Sequence, residues 1–201
     1  MKKLGLDFYK RENVLQVAEE LLGKLLVTNK KGIITYGRIV ECEAYAGIPD
    51  KASHAYGGRR TNRNEVMYGE AGVAYVYLCY GIHHLCNVVT HSKDIPHAIL
   101  IRSLEPVKGI NDMLMRTGKK LVDNTLTRGP GNLSKALGIY ISDTGVLLTG
   151  KNIFLADDGF VYPKNEIFTS PRIGVDYAGE DAFLPYRFYI KGNPFVSGKP
   201  K

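Results

Sequence analysis

The 201-residue sequence predicts an α+β fold: a single domain over residues 1–201, organised around a mostly antiparallel sheet with flanking helices. Two observations carry this reading. Short runs rich in Ile, Val, Thr and Tyr follow one another with hairpin-length breaks, and these connections outnumber the helical crossovers a parallel sheet requires. No repeat, low-complexity segment or linker divides the chain, and 44% hydrophobic with 23% charged residues suits one buried core.

From the amino end, Val14, Leu15, Val17, Ala18, Leu21 and Leu22 recur at helical spacing, with Asn13 placed to cap the helix and Gly23 to stop it. Residues 25–28 and 33–44 read as strands. Residues 72–79 and 82–90 form a second pair that turns at Tyr80-Gly81. A strand over 97–103 precedes a helix opening at Pro106, where proline suits a first turn. Gly129-Pro130-Gly131 introduces a short helix through Ala136-Leu137, and Gly138 ends it. The last strands fall at 145–155 and 186–191.

The chain carries 27 Lys+Arg against 20 Asp+Glu, a formal net charge of +7, which favours a polyanionic partner. Lys51, Arg59, Arg60 and Arg63 gather around Gly57-Gly58. Such a loop can lay amides and guanidinium groups on phosphates, or it can be a solvated surface loop. Three cysteines, Cys42, Cys79 and Cys86, make no disulfide framework and fit a reducing cytoplasm. No stretch approaches the roughly 18 apolar residues of a membrane span, and the amino terminus lacks a signal-peptide core. The expected location is cytoplasmic, nucleoid-associated in a bacterium, without a membrane partner.

Residues 39–45 read Ile-Val-Glu-Cys-Glu-Ala-Tyr. Strand alternation puts Ile39, Glu41 and Glu43 on one face and Val40, Cys42 and Ala44 on the other. Two carboxylates beside buried aliphatics are costly unless paired or functional. Glu43 stands where the strand gives way to a loop holding His54, a position suited to a general base; a cross-sheet ion pair is the alternative. Tyr45, His54 and Tyr77 offer surfaces for a flat ring, whereas Tyr75 and Tyr77 also fit a packed core. Tyr80, at a hairpin tip, is a candidate wedge for a gap in the DNA stack. Asn87, on the returning strand, can read a purine edge. The amides at Gly129 could meet a phosphate, or serve an ordinary helix entry. Cys79, His83, His84 and Cys86 lie close in sequence, but their spacing matches no metal half-site.

These residues together resemble the alkyladenine (3-methyladenine) DNA glycosylase family over about residues 9–197. The resemblance is carried by Gly37–Tyr45, Ser53–Arg59, Thr61–Asn64, Ala74–Gly81 with Asn87, Leu100–Pro106, Gly129–Gly131 and Pro171–Val175. It implies a curved antiparallel sheet with a protruding, DNA-intercalating hairpin, and cofactor-free, metal-free excision of alkylated purines from double-stranded DNA by a monomer. By position it implies Glu43 as general base, with Arg102 and the Ile173 carbonyl helping to hold the water. Tyr45, His54 and Tyr77 would line the base pocket, Tyr80 would be the wedge, and Asn87 would disfavour guanine. Arg59, Thr61, Arg63 and Gly129 would lie on DNA. Cys42 stands where a threonine is familiar, and Asn132 where some members carry a basic residue. Two other classes share some of these features: a nucleic-acid-binding module without catalysis, and a metal-dependent hydrolase built on Cys79–Cys86.

Overall fold

The computed structural model describes residues 1–198. Nine strands in this range form one antiparallel sheet: β1 (Lys2–Lys3), β2 (Leu25–Lys30), β3 (Ile33–Tyr45), β4 (Ala74–Cys79), β5 (His83–Thr90), β6 (His97–Lys108), β7 (Ile153–Asp157), β8 (Ile167–Ser170) and β9 (Arg187–Ile190). Their order is β1-β7-β2-β3-β6-β5-β4, with β9 joining β3 and β8 joining β9. The α-helices are α1 (Leu6–Tyr9), α2 (Val14–Leu21), α3 (Ile110–Thr117) and α4 (Pro130–Leu137). The α+β class and the antiparallel sheet are as expected.

Helix α2 begins where the Asn13 side chain accepts from the Leu15 and Gln16 amides, and α4 ends at Gly138 in the left-handed region. The helix expected at Pro106 is not there. Pro106 lies in β6, paired with Gly37 beside a register shift in β3. An irregular ladder tolerates a residue with no N–H, so the strand runs on to Lys108 and α3 starts only after Gly109. The strand expected over 145–155 is confined to its end, in β7. Before it the chain turns, with Gly145 N–H bonded to the Ala74 carbonyl and Leu148 N–H to that of Gly72. Leu147 makes an isolated antiparallel bridge to Val73 and Leu148 is buried in the core, which together account for the apolar run. Strands β1 and β8 and helix α1 are too short to show a period.

Strand β3 is the spine of the sheet. One side pairs with β6; the other pairs with β2 through residue 38 and with β9 at residues 41–43. The exchange of partners coincides with irregularities between Ile39 and Cys42, and such bulges bend and twist a strand. Ile39 consequently packs in the main core with Val40, Cys42 and Ala44 rather than beside the two glutamates.

Elsewhere the alternation holds and divides the sheet into two faces. Ala74, Val76, Cys86, Val88, Ile99 and Ile101 join Val17, Leu21, Leu133 and Leu137 of α2 and α4 in the core. Cys42 belongs there too, its thiol against the Ala18 carbonyl at 3.2 Å. On the other face, Tyr75, Val89 and Ala98 pack under Ala55, Met67 and Tyr68 of the long loop between β3 and β4. Glu43, Leu100, Asn87 and Tyr75 are successive cross-strand partners on β3, β6, β5 and β4. That row is the floor on which the site is built.

Candidate active site and nucleic-acid interface

Both glutamates of β3 are fully buried, and their surroundings differ. Glu41 Oε1 accepts from Arg102 Nε at 3.0 Å, Arg187 Nε at 2.7 Å and Ser197 Oγ at 2.9 Å. Its Oε2 accepts from Ser103 Oγ at 2.8 Å and the Ser197 amide at 2.6 Å. Burial opposes the charge on Glu41, but Arg102 and Arg187 outweigh it and hold the carboxyl below its ordinary pKa. A carboxylate offers about four lone-pair sites, so five donors saturate it. Glu41 is a cross-sheet anchor.

Glu43 has fewer partners. Its Oε1 accepts the Ile173 amide at 2.7 Å and faces Arg102 Nη1 at 3.2 Å. Its Oε2 accepts from the Tyr45 hydroxyl at 2.9 Å. Three of about four lone-pair sites are taken, which leaves room for one more donor on Oε2. The Ile173 group touching Glu43 is its N–H; the carbonyl expected to hold water is one peptide unit away.

Tyr45, His54, Tyr75, Tyr77 and Asn87 come together in one pocket, with Tyr177 at its edge. Tyr77 meets His54 edge-on, ring centroids 4.7 Å apart, and lies tilted on Tyr75 at 5.4 Å. His54 Nδ1 pairs with the Tyr75 hydroxyl at 2.8 Å. Burial, with Arg63 and Arg59 nearby, lowers the His54 pKa to about 4, so its ring is neutral at physiological pH. A neutral ring can accept a cationic base as a neighbour without repulsion. Burial raises the Tyr45 hydroxyl well above its ordinary pKa, and the carboxylate of Glu43 adds to it; the tyrosine is a permanent donor. Asn87 gives its amide protons to the Tyr75 and Leu85 carbonyls, which turns its oxygen into the side chain's free edge.

A second cavity of about 430 Å³ adjoins this pocket and is lined by Lys51, Arg59, Thr61, Arg63 and Tyr177, among others. Asn64 shapes its loop: the side-chain amide donates to the His54 and Arg59 carbonyls, and the oxygen accepts from Thr61 N and Oγ1. The arginines divide by role. Arg60 is committed to Glu65 at 2.6 Å and Asp94 at 3.2 Å, whereas Arg63 lies over the Tyr77 ring, 4.9 Å from its centre. Tyr80 is 90% exposed at the β4–β5 turn. Gly129, expected on DNA, already gives its N–H to Ser103 Oγ at 3.0 Å, so that amide has an internal partner. Around β5, Cys86 packs in the core, His84 accepts the Ile141 amide, and His83 lies against Gly131.

Arg187, Ser197 and Tyr177 match no motif in the sequence, and Arg172 lies in the Pro171–Val175 motif without a role of its own. Arg172 is buried, makes a double ion pair with Asp50 at 2.6 and 2.8 Å, and covers the Tyr45 ring at 4.8 Å.

The structure thus sets a buried carboxylate beside an aromatic pocket, with a basic groove adjoining it and an exposed tyrosine at the β4–β5 turn. Residues 7–194 match the family described as Methylpurine-DNA glycosylase (MPG), and the chain belongs to that family. A Clostridium perfringens protein named "Putative 3-methyladenine DNA glycosylase" is 44% identical over 98% of this chain and 100% of its own length. Proteins of the same printed name from Bacillus cytotoxicus and Bacillus cereus are 45% and 46% identical, covering 94% and 96% of this chain and 97% and 98% of their own. The family supports a DNA-repair glycosylase acting on a DNA substrate. No helix among the described residues is long and apolar enough to cross a membrane.

Proposed function

We propose that the chain removes alkylated purines from double-stranded DNA by water attack, without a metal or other cofactor, acting as a monomer and leaving an abasic site. The observation that carries the assignment of the base is the open lone-pair site on Glu43 Oε2, set against the saturated Glu41. A purine alkylated at N3 or N7 is a cation with a weakened glycosidic bond. The C1′–N bond breaks with its electron pair going to the base, which departs neutral. Water bonds to C1′ and gives its proton to Glu43. The same carboxylate faces the developing oxocarbenium charge, and Arg102 and the Ile173 amide keep it fixed in position.

Tyr45, His54 and Tyr77 hold the flipped base in this reading, and stacking on them favours an electron-poor ring. Asn87 stands where the extra amino group of guanine would meet the pocket wall, so it works against normal guanine. Arg59, Thr61 and Arg63 lie along phosphates, and Tyr80 fills the vacated stack. Flipping costs a few kcal/mol, least at damaged pairs. The test is base release from a panel of duplexes, each carrying one defined lesion, with and without excess chelator. Alkali-labile cleavage at alkylated purines is expected in both conditions. Binding without release would favour a non-catalytic module, and loss in chelator would favour metal chemistry.

A further inference from the structure

The pocket bounded by Tyr45, His54, Tyr77 and Asn87 has a cavity of only about 40 Å³. At roughly 10–15 Å³ per water position this holds a few waters, well below the roughly 300–1,000 Å³ of ordinary ligand sites. A bicyclic base does not enter such a space unless a wall moves. The neighbouring groove is about ten times larger, and Ser53, His54 and Tyr177 line both cavities. Of these three, Ser53 is buried and His54 is half-buried and tied to Tyr75.

Tyr177 differs from them. It is 71% exposed, and among the described residues the one side-chain hydrogen bond that places it runs from its hydroxyl to the Ala52 carbonyl at 3.1 Å. Its backbone belongs to an irregular 3₁₀ segment, Asp176–Phe183, with a non-helical break at Gly179. Neighbouring points of that segment are fastened: Ala178 is buried against Ala52 and Val175, and Asp181 accepts the Lys51 amide at 2.7 Å. The main chain is held there, while most of the ring faces solvent. Rotamer exchange of an exposed side chain takes picoseconds to nanoseconds, so one hydrogen bond is the barrier.

We infer that Tyr177 is the movable outer wall of the base pocket, contacting the flipped nucleotide. It turns outward to join pocket and groove when a base arrives, and closes again over that nucleotide. This rests on the base-excision reading above and adds a residue to it that decides how fast a base is captured and how long it stays.

The experiment is stopped-flow fluorescence on a duplex carrying 3-deaza-3-methyladenine, which is not released, next to 2-aminopurine, which brightens when its neighbour unstacks. Tyr177→Phe removes the tether and keeps the ring, so capture is expected to quicken roughly two- to tenfold, the factor for one hydrogen bond. Tyr177→Ala removes the wall, so the captured base is expected to return to the stack several-fold faster. Affinity for undamaged duplex stays within about twofold of the parent, and a thermal melt confirms that both variants are folded. Parent-like capture and return in both variants would overturn the proposal, as would an equal loss on undamaged duplex, which would make Tyr177 a groove contact. If the parent protein neither brightens the probe nor releases an alkylated purine, the base-excision reading itself fails and this inference falls with it.

Discussion

Glu41 and Glu43 are two residues apart, equally buried, and share Arg102, yet lone-pair occupancy separates them. Glu43→Gln is expected to abolish release of an alkylated purine while lesion-duplex affinity stays within about tenfold, or about 1.4 kcal/mol. Glu41→Gln, which removes the charge facing Arg102 and Arg187, is expected mainly to lower the melting temperature. Single-turnover release and a thermal melt on each variant decide; an active Glu43→Gln with a folded but inactive Glu41→Gln reverses the roles. A second prediction concerns His54 and His97, both lowered by burial to pKa values of about 4. The unfolded chain binds these protons near pH 6.5 while the folded chain resists them. Stability is therefore fully present above about pH 6.5 and declines as pH falls towards 4, by up to about 1.4 kcal/mol per pH unit for each group. Among the described residues His97 Nδ1 has no hydrogen-bond partner, so His97→Gln is expected to flatten melting temperature against pH in that window. An unchanged slope would count against its burial as the cause.

At the scale of elements, the β4–β5 turn and the basic loop make separate statements. Tyr80 and Gly81 both have positive φ, 50° and 74°, as a type I′ hairpin turn requires. For tyrosine that conformation costs roughly 1–2 kcal/mol. Tyr80→Gly is expected to hold or raise the melting temperature while reducing the flipped population reported by a fluorescent neighbour base. A marked drop in melting temperature with normal flipping would make Tyr80 structural. In the loop, Arg59→Ala is expected to weaken lesion and undamaged duplex alike and to lower the salt slope by about one. Arg60→Ala, which breaks pairs to Glu65 and Asp94, should leave that slope unchanged. Salt titrations of both variants test the division. The hairpin was readable because its two apolar runs and Tyr80-Gly81 are contiguous. The division between Arg59 and Arg60 was not, since Asp94 lies 34 positions from Arg60.

Across the whole molecule, the site is closed by residues from distant parts of the chain. Arg187 on β9 and Ser197 beyond it bind Glu41 on β3, and Arg102 on β6 bridges Glu41 and Glu43. The two glutamates and two arginines balance in charge. Arg187→Ala is expected to cost about 3–5 kcal/mol, as for removal of one partner from a buried pair, with Glu41→Gln in the same chain recovering part of it. Denaturant unfolding of the single and double variants measures this, and strict additivity would show that the pair does not interact. The fold class, α2 with its Asn13 cap and α4 with its Gly138 stop were legible in local residue patterns, whereas the grouping of Glu43, Tyr45, His54, Tyr77 and Asn87 followed from the family resemblance. The elements are written in periodicity and caps, over a few neighbouring residues. That Pro106 continues a strand, that Glu41 is saturated and Glu43 is not, and that Arg172, Tyr177, Arg187 and Ser197 meet the site emerge from the folded chain. Each depends on which strands become neighbours, and β3 changes partner from β2 to β9 at a bulge. Contacts across that junction join residues up to 156 positions apart, a distance over which sequence pattern carries no trace.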